Sequence, residues 1–505
     1  MITIAMLAAM AVAALEQTVV STAMPSIIAQ FKGLDIYPWV FSAYLLAATV
    51  TTPLYGKLAD IWGRKPVLLF GLVVFCIGSA LSGLATSMGM LIFMRVIQGI
   101  GAGAVSPIVL TLLGDLFDLR ERARVQSLFS GVWGVSSLAG PALGGYLTVQ
   151  LSWRWVFFVS VPFGVVSMLI LWWFVEEPEA KRRRVAPLDW PGALLLAGST
   201  SALLFALLDG PQRSTAATVG WSVAAAVLLA LFIRQERRAV DPMLHLDLLF
   251  RGPVLAALIG SFVVGGLLFC MDTYIPLYIQ GAMGGNAWSA GKVLTPLFLS
   301  WAVSVFLAAN VVARWGFRTT GRVGATAVCV GSLGLVAATY VPESAVAIFQ
   351  ASMIVIGLGM GPTSLSQILS VQTVVPWERR GAATGAVTFG RTIGGAVCVA
   401  LLGASLAFDL GGRLERAGMR DVDVSAALRP ETHAELAPPV LEAVRKGLAG
   451  SISLVYVEMF GMAVIALIAA GRVASGKSTA PATPAEGAAN PPPSISEAGL
   501  AALEA

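Results

Sequence analysis

The chain has 505 residues, 57% of them hydrophobic and only 12% charged, with a net charge of +5 and a mean hydropathy of +0.81. Soluble domains carry about 25% charged residues, so this composition excludes an ordinary water-soluble enzyme or binding module and indicates a chain that threads a bilayer repeatedly. The four cysteines stand inside apolar runs with no CxxC spacing, which suits packing better than zinc or disulfides, and the modest charge gives no nucleic-acid partner.

Apolar runs of about 20 residues are long enough to span a hydrocarbon core. In chain order they fall near 3–28, 38–58, 67–86, 89–112, 124–149, 153–175, 190–209, 217–234, 253–280, 288–313, 321–341, 344–370, 382–408 and 448–471. The reading is an all-α integral membrane protein of 14 transmembrane helices. The first run contains Glu16, an ionisable group whose burial at mid-membrane costs about 2.5–3.5 kcal/mol and asks for a function. A signal peptide is excluded here, because no basic segment precedes the run and Glu16 interrupts it; the abrupt start leaves a longer native N-terminus as an expectation. Lysines and arginines gather in every even-numbered connection, from Lys57, Arg64 and Lys65 through Arg120, Arg122 and Arg124 and Lys181 to Arg184, to Arg379 and Arg380. Short odd-numbered connections carry only Lys32 and Arg213. The positive-inside rule then places both termini in the cytoplasm.

An internal repeat organises these spans. "GKLADIWGRK" (56–65) is echoed by "ANVVARWGFR" (309–318), which aligns Trp62 with Trp315, Gly63 with Gly316 and Lys65 with Arg318. "GIGAGA" (99–104) is echoed by "GLGMGP" (357–362). The expected organisation is a six-helix half over 1–175, two inserted helices with their linkers over 176–252, and a second half over 253–472. An outer loop occupies 409–447, with the last helix extended outward from Val440, and a disordered Pro/Ala-rich tail follows over 473–505. Duplicated halves with a site at their interface are how many secondary transporters alternate access.

The motifs are similar to those of a known superfamily. "GKLADIWGRK" resembles the loop 2–3 signature of the major facilitator superfamily at Gly56, Leu58, Asp60, Gly63, Arg64 and Lys65, and "RVIQGIGAG" (95–103) its fourth-helix motif. "GVWGVSSLAGPALGG" (131–145) resembles its exporter-type fifth helix. "LEQT" with Met24-Pro25, "WRWVFFVSVP", "YIPLYIQ" and "RTIGG" resemble the fourteen-span drug:proton antiporter family, which often carries Asp where this chain has Glu16. The resemblance implies the major facilitator fold. It also implies a cytoplasmic latch of Gly56, Asp60, Gly63, Arg64, Arg120 and Arg122 that joins the halves when the outside is open; ordinary inside-positive charge is the plainer reading. Gly131, Gly134, Gly140, Pro141 and Gly144, with Gly145, make helix 5 packed yet bendable at the half–half interface, and the resemblance adds export as the direction.

The embedded charges carry the chemistry. Arg95 is the natural partner for Glu16, with structural hydrogen bonding as its alternative role. Asp272 lies in the first helix of the second half. Under the repeat offset Glu16 maps to Phe269, so Asp272 is about one helical turn further outward. Two carboxylates beside a central cavity suit proton–cation exchange, because desolvation favours a neutral carboxyl and a nearby cation favours the charged one; a place at the outer interface is the alternative for Asp272. Arg391 is assigned packing or gating, Glu458 a structural hydrogen bond, and Lys292 an outer-end position from which it snorkels. Rings such as Trp39, Tyr44, Trp133, Tyr274, Tyr278, Phe298, Trp301 and Phe389 could line a cavity for apolar cations, or serve as interface belt and packing.

"GRVASGKS" (471–478) fits the P-loop pattern but follows a membrane run and precedes "TAPATPAEG", with no length left for a nucleotide-binding domain. An enzyme is disfavoured, since His245 and His433 are isolated and no catalytic cluster exists. The expected function is therefore export of small amphiphilic compounds from a bacterial-type inner membrane in exchange for protons. The chain needs no cofactor or metal, only the proton gradient, and works as a monomer among membrane lipids. Export of a lipid, siderophore or endogenous metabolite is the same-fold alternative, and a periplasmic adaptor is the one protein partner considered.

Overall fold

The computed structural model describes residues 2–34, 36–116, 119–175, 189–208, 214–239, 252–375, 380–419 and 438–475, and among them it contains helices and no strands. The first half is built from α1 (Ile2–Phe31), α2 (Pro38–Trp62), α3 (Arg64–Gly83), α4 (Met88–Leu116), α5 (Leu119–Gln150) and α6 (Ser160–Phe174). An intervening pair follows, α7 (Trp190–Leu208) and α8 (Thr215–Glu236). The second half comprises α9 (Gly252–Leu277), α10 (Ala287–Trp315), α11 (Phe317–Ala338), α12 (Ala345–Val374), α13 (Arg380–Arg416) and α14 (Pro438–Ala470). Eleven of the described helices are long and apolar enough to cross a membrane.

Three expected boundaries move. The sixth run is broken: a single turn, Trp155–Phe158, precedes α6, and Pro162 then falls in the first turn of the new helix, where no N–H partner is lost. The first run, expected to end at 28, and the ninth, expected to end at 280, contain Pro25 and Pro276 near their ends, and neither proline stops its helix. α1 continues to Phe31, and α9 passes into a π-turn at Tyr278–Ala282, because helices within a bundle can satisfy the freed backbone groups. α13 runs on to Arg416, past the expected end at 408, and its added turns are held by Asp409, which accepts from Arg413 one turn on and from Ser451 of α14 at 2.7 Å.

The repeat is visible in the backbone. Gly63 (φ 98°, ψ 160°) and Gly316 (φ 81°, ψ 168°) are the single residues linking α2 to α3 and α10 to α11, a conformation almost confined to glycine that costs another residue about 1–3 kcal/mol. Next to each link the aligned cations do the same work. Lys65 Nζ donates to the carbonyls of Trp172 and Val175 at the end of α6, at 2.9 and 2.7 Å. Arg318 Nε donates to Val473 O just past α14, at 3.1 Å. On α4, a methyl added at Gly99 or Gly103 would strike α2 and one at Gly101 would strike α3; on α12, Gly357 and Gly361 face α10 while Gly359 faces α11. Each half is thus locked by the same close backbone approaches.

Among the described residues, the shared apolar packing of the halves lies away from the basic end. One hydrophobic cluster runs through both halves, from Leu15, Val19 and Ile27 to Leu267, Ile275 and Leu294. Towards the basic end, near Lys65 and Arg318, it divides into a cluster confined to the first half, around Met6, Leu68 and Ile108, and another confined to the second, around Val254, Val371 and Val387. α7 lies against both α2 and α13: Leu196 and Leu204 bury beside Leu46, Val50 and Ala400, and Phe205 meets the Trp39 ring at 4.8 Å. α8 packs on α7, joined by Gln235 Nε2 to Asp189 Oδ1 at 2.8 Å and by stacked Phe205 and Trp221.

Candidate functional site

Arg95 and Glu16 come together in the interior of the first half, each 2% exposed. Arg95 Nη1 donates to Glu16 Oε1, and the same nitrogen donates to Gln98 Oε1 at 2.6 Å. Arg95 Nε donates to Val40 O at 3.2 Å, and its guanidinium lies 4.1 Å from the centroid of the Tyr44 ring. The positions follow from local periodicity: Gln98 is three residues past Arg95 and shares its face of α4, while Val40 and Tyr44 are four apart on α2. Glu16 Oε2 has no hydrogen-bond partner among the described residues. The arrangement is a guanidinium held from three directions, with a carboxylate that has one oxygen to spare. Loss of the carboxylate's charge would leave Arg95 still held by Gln98, Val40 and Tyr44.

Asp272 is not part of this constellation. It is buried on α9 where that helix faces Ser21 of α1, across the joined end of the two halves. Other bonds stitch the same seam. Gln280 Nε2 donates to Thr22 O at 3.1 Å, Ser42 Oγ donates to Ala396 O at 2.9 Å, and the Tyr37 and Tyr274 rings meet edge-on.

Helix 5 does pack on α10 of the other half, and its glycines divide between two jobs. Gly140 and Gly144, one turn apart, face α1, where an added Cβ would strike Thr18 and Thr22. Gly145, about 100° further round, approaches the backbone of Ala287 and Trp288 in α10, and Pro141 O lies against Gly291. Among the described residues, a Cβ on Gly134 would reach Ala302 and one on Gly131 would meet no atom within 4 Å. Of the latch residues, the side chains of Asp60, Arg120 and Arg122 lie outside the described set, and a Cβ on Gly56 would meet no described atom within 4 Å. Arg64 Nη1 donates to Ala59 O at 2.9 Å, within the first half. Glu458 accepts from Ser405 Oγ at 2.6 Å. Arg391 abuts Gly265 of α9, and its Nε has no hydrogen-bond partner among the described residues. Lys292 lies over the Trp288 ring.

Several rings have structural employment: Tyr274 OH donates to Val399 O at 2.5 Å, and Tyr278 packs with Phe349 and Tyr456. The side chain of Trp133, and both histidines, fall outside the described residues. Sequence reasoning missed Gln98, whose three-residue spacing from Arg95 was the available signal, and Ser21, Ser42 and Gln280, for which none existed.

A helical bundle of two matched halves, crossed by many apolar helices and holding a buried ion pair, defines a multi-pass membrane transporter. The family model described as "Major Facilitator Superfamily" matches residues 6–398, and the chain belongs to that superfamily. It is 34% identical over 395 residues to "Multidrug resistance protein 3" of Bacillus subtilis (strain 168), covering 77% of this chain and 76% of that one. It is 33% identical over 404 residues to "Multidrug transporter protein MdtP" of the same organism, covering 78% and 73%. Among solved structures, the fold is shared with a bacterial homolog of the human lysosomal transporter Spinster in an inward-facing and occupied conformation, at TM-score 0.67, 15% identity and 93% and 96% coverage. The protein is therefore a transporter rather than an enzyme.

Proposed function

We propose that this transporter is a proton-coupled exporter of small amphiphilic or cationic compounds. All of α1 to α14 span the inner (plasma) membrane in this reading, with both termini and the basic end in the cytoplasm and α7 and α8 as the pair inserted between the halves. The joined end of the seam is then the outer side, and the two separate apolar clusters of the described residues lie towards the cytoplasm. The observation that carries the proposal is the buried pair of Glu16 and Arg95, with no hydrogen-bond partner for Glu16 Oε2 among the described residues. A carboxylate that must choose between a guanidinium, a proton and a cationic cargo can couple two fluxes, because each occupant disfavours the others. Cargo enters from the cytoplasmic side while Glu16 is charged. After the halves rock, a proton from outside neutralises Glu16, cargo leaves, and Arg95 stays held by Gln98 and Val40 for the next cycle. The names of the relatives at 33–34% identity support multidrug cargo.

The test is ethidium-induced proton release and pH-gradient-driven ethidium transport by purified protein in liposomes, wild type against Glu16→Gln. Both signals should disappear in the variant, while its ethidium binding remains. Undiminished gradient-driven transport by Glu16→Gln would remove Glu16 from coupling, and a requirement for ATP with indifference to the gradient would end the proposal.

A further inference from the structure

The Glu16–Arg95 chemistry leaves one buried acid unused. Asp272 is 2% exposed, and neither of its carboxyl oxygens has a hydrogen-bond partner among the described residues. Ser21 on α1 is the one described hydroxyl placed to reach the carboxyl, but it has Thr18 O as a competing acceptor at 3.3 Å and carries no charge, and the adjacent Thr273 hydroxyl turns to Phe269 O at 2.7 Å. Charged groups on the neighbouring helices are engaged or distant. On α1, Glu16 holds Arg95. On α13, Arg391 lies beside Gly265, seven residues towards the basic end, and Asp409 pairs with Arg413. On α14, Glu458 accepts from Ser405, Glu442 pairs with Lys446, and Arg445 lies beside Gly284. On α10, Lys292 lies over Trp288 and Arg314 is in the last turn at the basic end. α12 has no charged residue. The other titratable groups of the seam, Tyr37, Tyr274, Tyr278, Cys270 and Cys398, are hydroxyls and thiols that bring no counter-charge.

An ionised carboxylate without a partner in such a place costs several kcal/mol even after relaxation, so the sealed seam accepts Asp272 only as the neutral acid. Parting the halves at this end would admit water and make the charged form tolerable. Ser21 is five residues beyond Glu16 along α1, about 7.5 Å further from the basic end. Water entering from the far side would therefore meet Asp272 before Glu16.

We infer that Asp272 is a gate proton site: its carboxyl holds a proton while the far end of the seam is sealed and releases it only when that end opens. The inference rests on the alternating-access reading above. The proton leaves to, and returns from, the same side, so it adds nothing to the exchange stoichiometry. It sets how strongly acidity on that side drives the halves to close again, and so returns the emptied transporter to its cargo-loading form.

The experiment places one reporter cysteine at Ala287, a 2% exposed residue that abuts Gly145 in the seam, with Cys76, Cys270, Cys329 and Cys398 replaced by alanine. Labelling by a membrane-impermeant methanethiosulfonate is measured from pH 6 to 9 and normalised at each pH to denatured protein. With Asp272 present, labelling should rise by up to about tenfold per pH unit where one proton is lost on opening. With Asp272→Asn, the neutral isostere, it should stay low and flat, with proton release per ethidium unchanged. An Asn variant that follows the wild-type profile overturns the inference. So does one that fails to assemble, because the sealed seam is argued to require the neutral side chain. Glu16→Gln in the same background should keep the pH-dependent labelling. If Glu16→Gln loses it while Asp272→Asn keeps it, the gate inference falls and the coupling proposal stands. If Glu16→Gln transports normally on a pH gradient, the coupling proposal falls whatever Asp272 does.

Discussion

Replacing Arg95 by methionine should destabilise the protein more than replacing Glu16 by glutamine, although both break one ion pair. Methionine at 95 leaves Glu16 as a lone buried carboxylate, and stranding one partner of a buried pair costs about 3–5 kcal/mol. Glutamine at 16 leaves Arg95 bonded to Gln98 and Val40 and resting on the Tyr44 ring. What is lost is one charge-assisted bond, about 1.5–3 kcal/mol, while a cation–π contact of about 2 kcal/mol persists in the dry interior. The double variant removes both charges and should recover about 2 kcal/mol or more relative to the sum of the single changes. The measurement is reversible unfolding by SDS in mixed micelles at pH 7.5, as a double-mutant cycle. Acid should restore part of the Arg95→Met loss, because Glu16 can then take up a proton, and should leave Glu16→Gln unchanged. Additivity of the two changes within about 0.5 kcal/mol, or a costlier Glu16→Gln, would refute the argument.

Two further outcomes follow from the packing. Alanine at Gly63 and alanine at Gly316 should each cost about 1–3 kcal/mol, since both links require positive φ with extended ψ, and the matched losses are read in the same unfolding assay. Leucine at Gly140 should cost about 1–3 kcal/mol through its collision with Thr18. Leucine at Gly131, where a Cβ would meet no described atom within 4 Å, should stay within about 0.5 kcal/mol, and a costly Gly131→Leu would contradict the assigned facing.

Much of the fold was legible because a bilayer forces it. Helix positions follow from apolar runs that water would reject, and the duplication follows from "WGRK" and "WGFR", whose glycines prove to share one backbone conformation. The Glu16–Arg95 pair was legible because two unlike charges in apolar runs have few other ways to be tolerated. What escaped was whatever depends on rotation about a helix axis. The residues 140 to 145 read as a single stripe, yet a 100° turn sends Gly145 to α10 and leaves Gly144 on α1. Cross-half bonds from Ser42 and Gln280 leave no local pattern, since their acceptors are backbone carbonyls of any sequence. The break before α6 was hidden because its residues are as apolar as those of the helix.

The position of α7 has a mechanical consequence. It adheres to α2 in one half and α13 in the other, and it drags α8 along through Asp189 and the Phe205–Trp221 stack. Two bodies that tilt against each other cannot both keep a fixed grip on the same rod. If the halves rock as proposed, α7 must slip over one of them on each stroke, and packed helices slip between discrete registers rather than gliding. In that reading the pair would be a brake on the cycle: by the smoothness or roughness of one apolar contact, it would set the pace of turnover without touching the cargo.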